Sequence, residues 1–208
     1  MLTKNEITEI FERLQSENPE PRCELNAPNN YTFSIAVLLS AQTTDKAVNK
    51  ATKELFEIAD SPEKMLAIGV KKLIEHIKIL GFFNNKAKNI IKLSEILIEK
   101  HNSMIPDNRE ELEKLPGIGR KSANVILNHL FGQNTIAVDT HVLRVSNRLG
   151  LSKSKAPNDV EKDLLNVIPK KFHKNASDWL VLHGRYICLA KKPQCDECFL
   201  YDLCEFVN

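Results

Sequence analysis

Apolar residues recur along this chain at intervals of three and four, the spacing that gathers them on one face of an α-helix. Thr3 and Glu6 stand at capping-box spacing ahead of Ile7, Ile10, Phe11 and Leu14, and they predict a first helix that Pro19 and Pro21 close. A second helix is expected over about residues 32–41. A third is expected from Asp45, with Val48, Ala51, Leu55 and Ile58 on one face. Ser61-Pro62 reads as an N-cap followed by proline at the first helical position. Leu73, Ile74 and Ile77 then mark a helix that stops near Gly81. Residues 87–99 repeat the period through Ile90, Ile91, Ser94, Leu97 and Ile98, and residues 121–130, 140–149, 160–167 and 176–190 have the same character. No hairpin dipeptide stands between alternating strands. The pattern predicts an all-α fold, and it marks no repeat, low-complexity tract or linker from which a domain boundary could be read.

Composition narrows the class. With 208 residues, 42% of them hydrophobic and 27% charged, the chain can bury a core without disulfides. These fractions exclude disordered, collagen-like and coiled-coil chains. The longest apolar run, Ser34 to Ser40, falls far short of the ~20 residues of a membrane span, so no membrane contact is expected. The acidic N-terminus lacks the character of a targeting signal, which predicts a cytoplasmic protein. A net charge of +2 says little about partners, but its distribution says more. From Lys114 to Lys153 six basic residues face Asp139 alone, and from Pro169 to Lys192 six face Asp178 alone. Such blocks form a basic face in some folds and ordinary solvated helix surface in more of them.

Two motifs rise above this background. The first is Leu115-Pro116-Gly117-Ile118-Gly119-Arg120-Lys121-Ser122-Ala123. Its glycines permit a sharp turn and close approach, and the helix that opens next points its N–H groups and positive dipole end outward. Gly117, Gly119 and Arg120 thus form a candidate phosphate-binding hairpin, which can hold a phosphate through backbone donors without reading bases, in preference to a plain αα-hairpin turn. Lys121 lies in the first turn of that helix. Arg120 beside it and the helix N-terminus both disfavour its protonated form, which would free an amine for nucleophilic work. Asp139, expected to cap the helix that starts at Thr140, is the candidate partner.

The second motif is Cys188, Cys195, Cys198 and Cys204, four of the five cysteines within seventeen residues. In a cytoplasmic chain this spacing points to a metal site in place of disulfides. One Cys-x-x-Cys and two longer arms suit an iron–sulfur cubane, and zinc accepts four thiolates as well. Cys23 stands apart and is expected to be a small buried side chain.

Taken together, the two motifs make the chain similar to the endonuclease III family of helix-hairpin-helix DNA glycosylase/AP lyases. The likeness spans almost the whole chain. Besides the hairpin and the cysteine run it includes residues 38–45, Val138-Asp139-Thr140-His141 and Leu182-His183-Gly184-Arg185. It implies two helical domains flanking a DNA-binding cleft. One is a six-helix barrel at about residues 23–133 with the hairpin. The other joins residues 1–22 to 134–208 and carries a structural 4Fe-4S cluster on the four cysteines. It also implies a monomer whose partner is double-stranded DNA containing damaged pyrimidines or abasic sites. In the reaction so implied, the target base is flipped out, Lys121 attacks C1′ of the sugar, Asp139 stabilises developing charge, and a Schiff base leads to β-elimination. Gln42 would fill the gap left by the base, and Lys191 and Lys192 would contact DNA from the loop between the first two cysteines.

The chain departs from the family pattern twice. Phe82-Phe83-Asn84 replaces the usual leucine wedge and tyrosine, and an aromatic wedge can still stack between bases. Gln194 stands where a basic residue is common. Two other readings compete: an adenine mismatch glycosylase, which normally lacks the lysine and carries a further C-terminal domain, and a non-catalytic DNA-binding module with a structural metal. Neither needs Lys121 together with Asp139.

Overall fold

Thr3 opens α1 (Lys4–Glu17) with a complete capping box: its hydroxyl accepts from the Glu6 amide at 3.3 Å, and the Glu6 carboxylate accepts from the Thr3 amide at 2.7 Å. The computed structural model describes residues 2–207. The helices that follow are α2 (Asn30–Leu39), α3 (Asp45–Ile58), α4 (Pro62–Ile77), α5 (Phe83–His101), α6 (Arg109–Lys114), α7 (Arg120–Phe131), α8 (Thr140–Leu149), α9 (Pro157–Val167) and α10 (His173–Tyr186). Short 3-10 turns stand at Lys170–Phe172, Cys195–Glu197 and Tyr201–Leu203, and the described residues contain no strand. The chain is all-α, as its periodicity predicts. Among the described residues no helix is long and apolar enough to cross a membrane.

Helix ends depart from the apolar stripes for local reasons. α2 begins two residues early because Asn29 caps it, with Oδ1 accepting from the Thr32 amide at 2.9 Å. A cap of this kind contributes about 1 kcal/mol. α2 also stops at Leu39, two residues short of the expected end, and Gln42 beyond it is left-handed at φ +53°. α5 starts at Phe83, ahead of its stripe, and α10 ends at Tyr186, where the chain turns toward the cysteines. Ile58 is the last residue of α3 and is 40% exposed, so the buried residues of that helix end at Phe56. Gly69, at φ +72° and ψ 166°, breaks α4, a conformation reserved to glycine. The six-residue α6 is too short to show a period of its own. Cys23 is half-buried, not buried, and forms no disulfide.

The chain divides into two compact units, one contiguous from Glu24 to Phe131 and one that joins the segment up to Cys23 with the segment from Gly132 onward. In the contiguous unit α2 is the central element. Residues 31–39 are buried without interruption, and α2 packs on α7, α3 and α5. Of its buried polar groups, Ser34 Oγ donates to the Asn30 carbonyl at 2.9 Å and the Tyr31 hydroxyl shares a hydrogen bond with Ser94 Oγ of α5 at 2.7 Å. In the discontinuous unit Phe11 of α1 stacks on Phe172 with ring centroids 5.6 Å apart and lies 6.3 Å from Trp179 of α10. Trp179 Nε1 donates to the Asn18 carbonyl at 2.8 Å, which gives the buried indole its partner.

Candidate nucleic-acid interface and metal centre

The hairpin is built from the contiguous unit. Asn108 caps α6, its Oδ1 accepting from the Glu111 amide at 2.9 Å. Leu115 ends that helix with its N–H on the Leu112 carbonyl at 3.1 Å, and the Ile118 amide closes the turn onto the Leu115 carbonyl at 3.1 Å. Leu115 and Ile118 are buried and pin the turn from beneath, while Gly117 and Gly119 are exposed. The two glycines are needed for different reasons. Gly117 has φ +84°, and a Cβ there would lie 2.9 Å from Leu38 Cδ1 and 3.0 Å from Asn89 Nδ2. Gly119 has ordinary φ, and a Cβ there would meet nothing within 4 Å. Gly117 therefore serves the fold, and Gly119 leaves open space in front of the N-terminus of α7. Gly117→Ala is expected to cost about 2–4 kcal/mol by chemical denaturation. Gly119→Ala should leave stability unchanged and weaken binding to short duplex DNA. Equal stability losses would assign both glycines to the fold.

Arg120 and Lys121 open α7. Arg120 is half-buried; Lys121 is exposed, and its side chain has no hydrogen bond or ion pair among the described residues. On the same unit, Gln42 lies in the turn between α2 and α3 and Phe82 stands just before α5. Both are exposed, Phe82 to 65%. Five non-glycine residues among those described have positive φ, and three of them are Gln42 (+53°), Phe82 (+58°) and Lys192 (+52°). Strain of this kind costs about 1–3 kcal/mol per residue and tends to gather at functional sites. These three were singled out from sequence for DNA contact on quite different grounds.

A residue that sequence reasoning missed lies between two of them. Lys86 of α5 is 6% exposed, and its Nζ donates to the Leu39 carbonyl at 2.9 Å and to Thr43 Oγ1 at 2.8 Å. The signal was present: Lys86 falls one turn before Ile90 on the apolar stripe of α5, a position where a charge needs a reason.

On the discontinuous unit, Asp139 caps α8. One oxygen, Oδ1, accepts from both the His141 amide at 2.8 Å and the Val142 amide at 2.9 Å. Oδ2 makes no bond to a described residue, so capping and a second role are compatible in one half-buried carboxylate. The segment that delivers it, Ile136 to Val138, is buried and is fixed by the Ala137 amide on Ser177 Oγ at 2.8 Å.

Beyond α10 the chain turns so that the Ile187 and Cys188 amides both reach the His183 carbonyl, at 3.0 and 2.8 Å. Two 3-10 turns then deliver the remaining cysteines, the Cys198 amide on the Cys195 carbonyl at 3.0 Å and the Cys204 amide on that of Tyr201 at 3.3 Å. All four cysteines line one hollow, walled by Leu149, Ile187 and Phe206. Among the described residues no three Cys, His, Asp or Glu side chains converge on a point that could hold a single ion. Burial pushes the thiols of Cys198 and Cys204 up, and the neighbouring cysteines add to the shift. Four thiolates in so apolar a setting require a compensating positive charge, which a multi-iron cluster supplies. Burial also pushes the His183 imidazole down to about 4, so the ring 3.7 Å from Cys198 Sγ is neutral. Arg148 of α8 donates to Cys188 Sγ at 3.3 Å and to the Leu189 carbonyl at 2.7 Å. Together with the Gln194 amide on the Ile187 carbonyl at 3.0 Å, it fixes the loop on which Lys191 and Lys192 stand exposed.

A hairpin of this kind with a cysteine-lined hollow in one small helical chain is the architecture of a base excision DNA repair protein. Residues 35–170 match the family described as HhH-GPD superfamily base excision DNA repair protein, and residues 188–204 match the iron-sulfur binding domain of endonuclease III. Endonuclease III of Rickettsia felis is 52% identical over 202 residues, covering 97% of this chain and 95% of its own. That of Escherichia coli K12 is 49% identical over 205 residues, covering 99% and 97%. A trapped endonuclease III–DNA covalent intermediate superposes with a TM-score of 0.93 at 44% identity, covering 100% of this chain and 98% of the other. A non-covalent endonuclease III–DNA complex gives the same score and identity and covers 100% and 97%. The chain belongs to the endonuclease III family.

Proposed function

We propose that this protein removes oxidised pyrimidines from duplex DNA and then cuts the strand 3′ to the vacated site. It is a DNA glycosylase and AP lyase of base excision repair. The observation that carries the mechanistic reading is Lys121, exposed in the first turn of α7 directly after the hairpin. Hairpin donors around Gly119 and Arg120 grip the backbone near the lesion, and the damaged nucleotide is rotated out of the stack. Gln42 and Phe82 enter the space it leaves. The Lys121 amine adds to C1′, the C1′–N bond breaks, and the base departs with a proton. Asp139 stabilises the positive charge that develops at the sugar and takes up the lysine's proton. The C1′–O4′ bond then breaks, with O4′ taking the proton held by Asp139, and leaves an iminium at C1′. This acidifies the C2′ hydrogen, whose loss breaks the C3′–O bond and expels the 3′ phosphate by β-elimination, and water then releases the lysine.

The four cysteines would hold a 4Fe-4S cluster whose contribution is structural, keeping Lys191 and Lys192 presented to DNA. We place this work in the cytoplasm, where such thiolates stay reduced, and in a monomer. The purified protein is expected to be brown with about four irons per chain. Cys198→Ser should lower iron content and duplex affinity together; a colourless zinc protein would overturn the cluster assignment. The activity itself is tested on a panel of duplexes with one lesion each. Oxidised pyrimidines should yield β-elimination ends, and adenine mispairs should stay intact. Cleavage restricted to adenine mispairs would favour the mismatch enzyme.

A further inference from the structure

We propose that Lys86 is a positioning residue that locks the Gln42 turn and the Phe82 wedge into one device, so that both enter DNA together. The inference rests on the reading of Gln42 and Phe82 as the residues that fill the space of the extruded base.

Lys86 is attached to both segments. Its backbone amide donates to the Phe82 carbonyl at 3.0 Å and forms the first turn of α5 directly behind the wedge. Its ammonium donates to the carbonyl of Leu39, the last residue of α2, and to Thr43 Oγ1. The Thr43 hydroxyl in turn donates to the Ala41 carbonyl at 3.3 Å. The two bonds of the Lys86 ammonium thus bracket Gln42, at Leu39 before it and at Thr43 after it, and the Thr43 hydroxyl closes the turn onto Ala41. Gln42 and Phe82 both hold left-handed backbone that a non-glycine residue does not keep unaided. Such strain persists only where the surroundings over-determine it.

Filling space alone does not explain a lysine here. The position lies on the apolar stripe of α5, where a leucine or methionine would pack without the cost of burying a charge. No carboxylate pairs with Lys86 among the described residues, and burial pushes its amine down from the ordinary lysine range. What offsets that cost is the C-terminal end of α2, whose last carbonyl lacks a helical donor and whose dipole favours a cation. The bond to Thr43 then extends this anchor into the turn that carries Gln42.

The test compares binding to a duplex holding a tetrahydrofuran abasic analogue with binding to the matched undamaged duplex, in the iron-loaded full-length protein. Lys86→Met keeps the length of the side chain and removes its donors. We expect it to lower the lesion preference about tenfold, the scale of a lost charged hydrogen bond. Gln42→Ala should lower it similarly, and the double variant should lose no more than the worse single one, because the two residues act as one unit. Thr43→Val removes one anchor without touching the core and should move the preference in the same direction, so the test stands even if Lys86→Met folds poorly. Wild-type preference in Lys86→Met or in Thr43→Val, while Gln42→Ala loses it, would overturn the positioning role and leave the insertion reading intact. Fully additive losses would do the same. An unchanged preference in Gln42→Ala would sink the insertion reading and this inference with it.

Discussion

Lys121→Ala is expected to abolish borohydride trapping on abasic DNA and strand cleavage with it, while duplex binding stays close to that of the unaltered protein. Trapping needs an amine bound to C1′, and Lys121 is the exposed amine in the first turn after the hairpin. Binding survives because the hairpin grips phosphate through backbone groups that the substitution leaves in place. The exposure of Lys121 makes the test clean, since truncating it creates no cavity and removes no core contact. A covalent product of undiminished yield in Lys121→Ala would refute the Schiff-base route outright. Loss of trapping together with loss of binding would instead make Lys121 a phosphate contact.

The second large effect is expected at Asp139. Asn caps helices about as well as Asp, and the amide oxygen of Asp139→Asn can take the place of Oδ1 between the His141 and Val142 amides. What it cannot supply is negative charge. Single-turnover base removal should therefore fall by about a hundredfold or more, while melting temperature and duplex affinity move little. The charge is needed as the sugar becomes positive, so the loss belongs in the chemical step and not in binding. Nearly normal turnover would reduce Asp139 to a helix cap.

How much of this was legible beforehand differs by element. Long stripes such as Ile7 to Leu14 and Ile90 to Leu97 announce their helices because each buries one face. In α1 the buried residues are the ones the period selects, whereas in α5 Ile91 is half-buried, Ile98 is exposed and Leu93 takes a buried place the period does not name. α6 stayed hidden because six residues cannot complete two turns. Cysteine spacing pointed to one metal site because sulfur ligands in a reducing compartment have few other uses, and the structure adds the hollow that the four share. The hairpin glycines were visible, but their division of labour was not. Only the packing of Leu38 and Asn89 against Gly117 reveals which one the fold needs. Lys86 and Arg148 were invisible because their partners are mainly backbone carbonyls, brought close by tertiary contact, and backbone groups leave no trace in residue identity.

The split of one unit across both ends of the chain has a consequence for how the protein is made. Glu24 to Phe131 is contiguous and can fold as it leaves the ribosome. α1 emerges first, but the rings that Phe11 packs on, Phe172 and Trp179, are synthesised far later. At about 5–20 residues per second, its apolar face waits for roughly ten to thirty seconds, open to chaperones and to other nascent chains. Cys204 comes later still, so iron can enter only after α1 to α10 have all been made. Repair capacity in a cell short of iron would then fail at maturation, with the helices present and the cysteine segment unclosed.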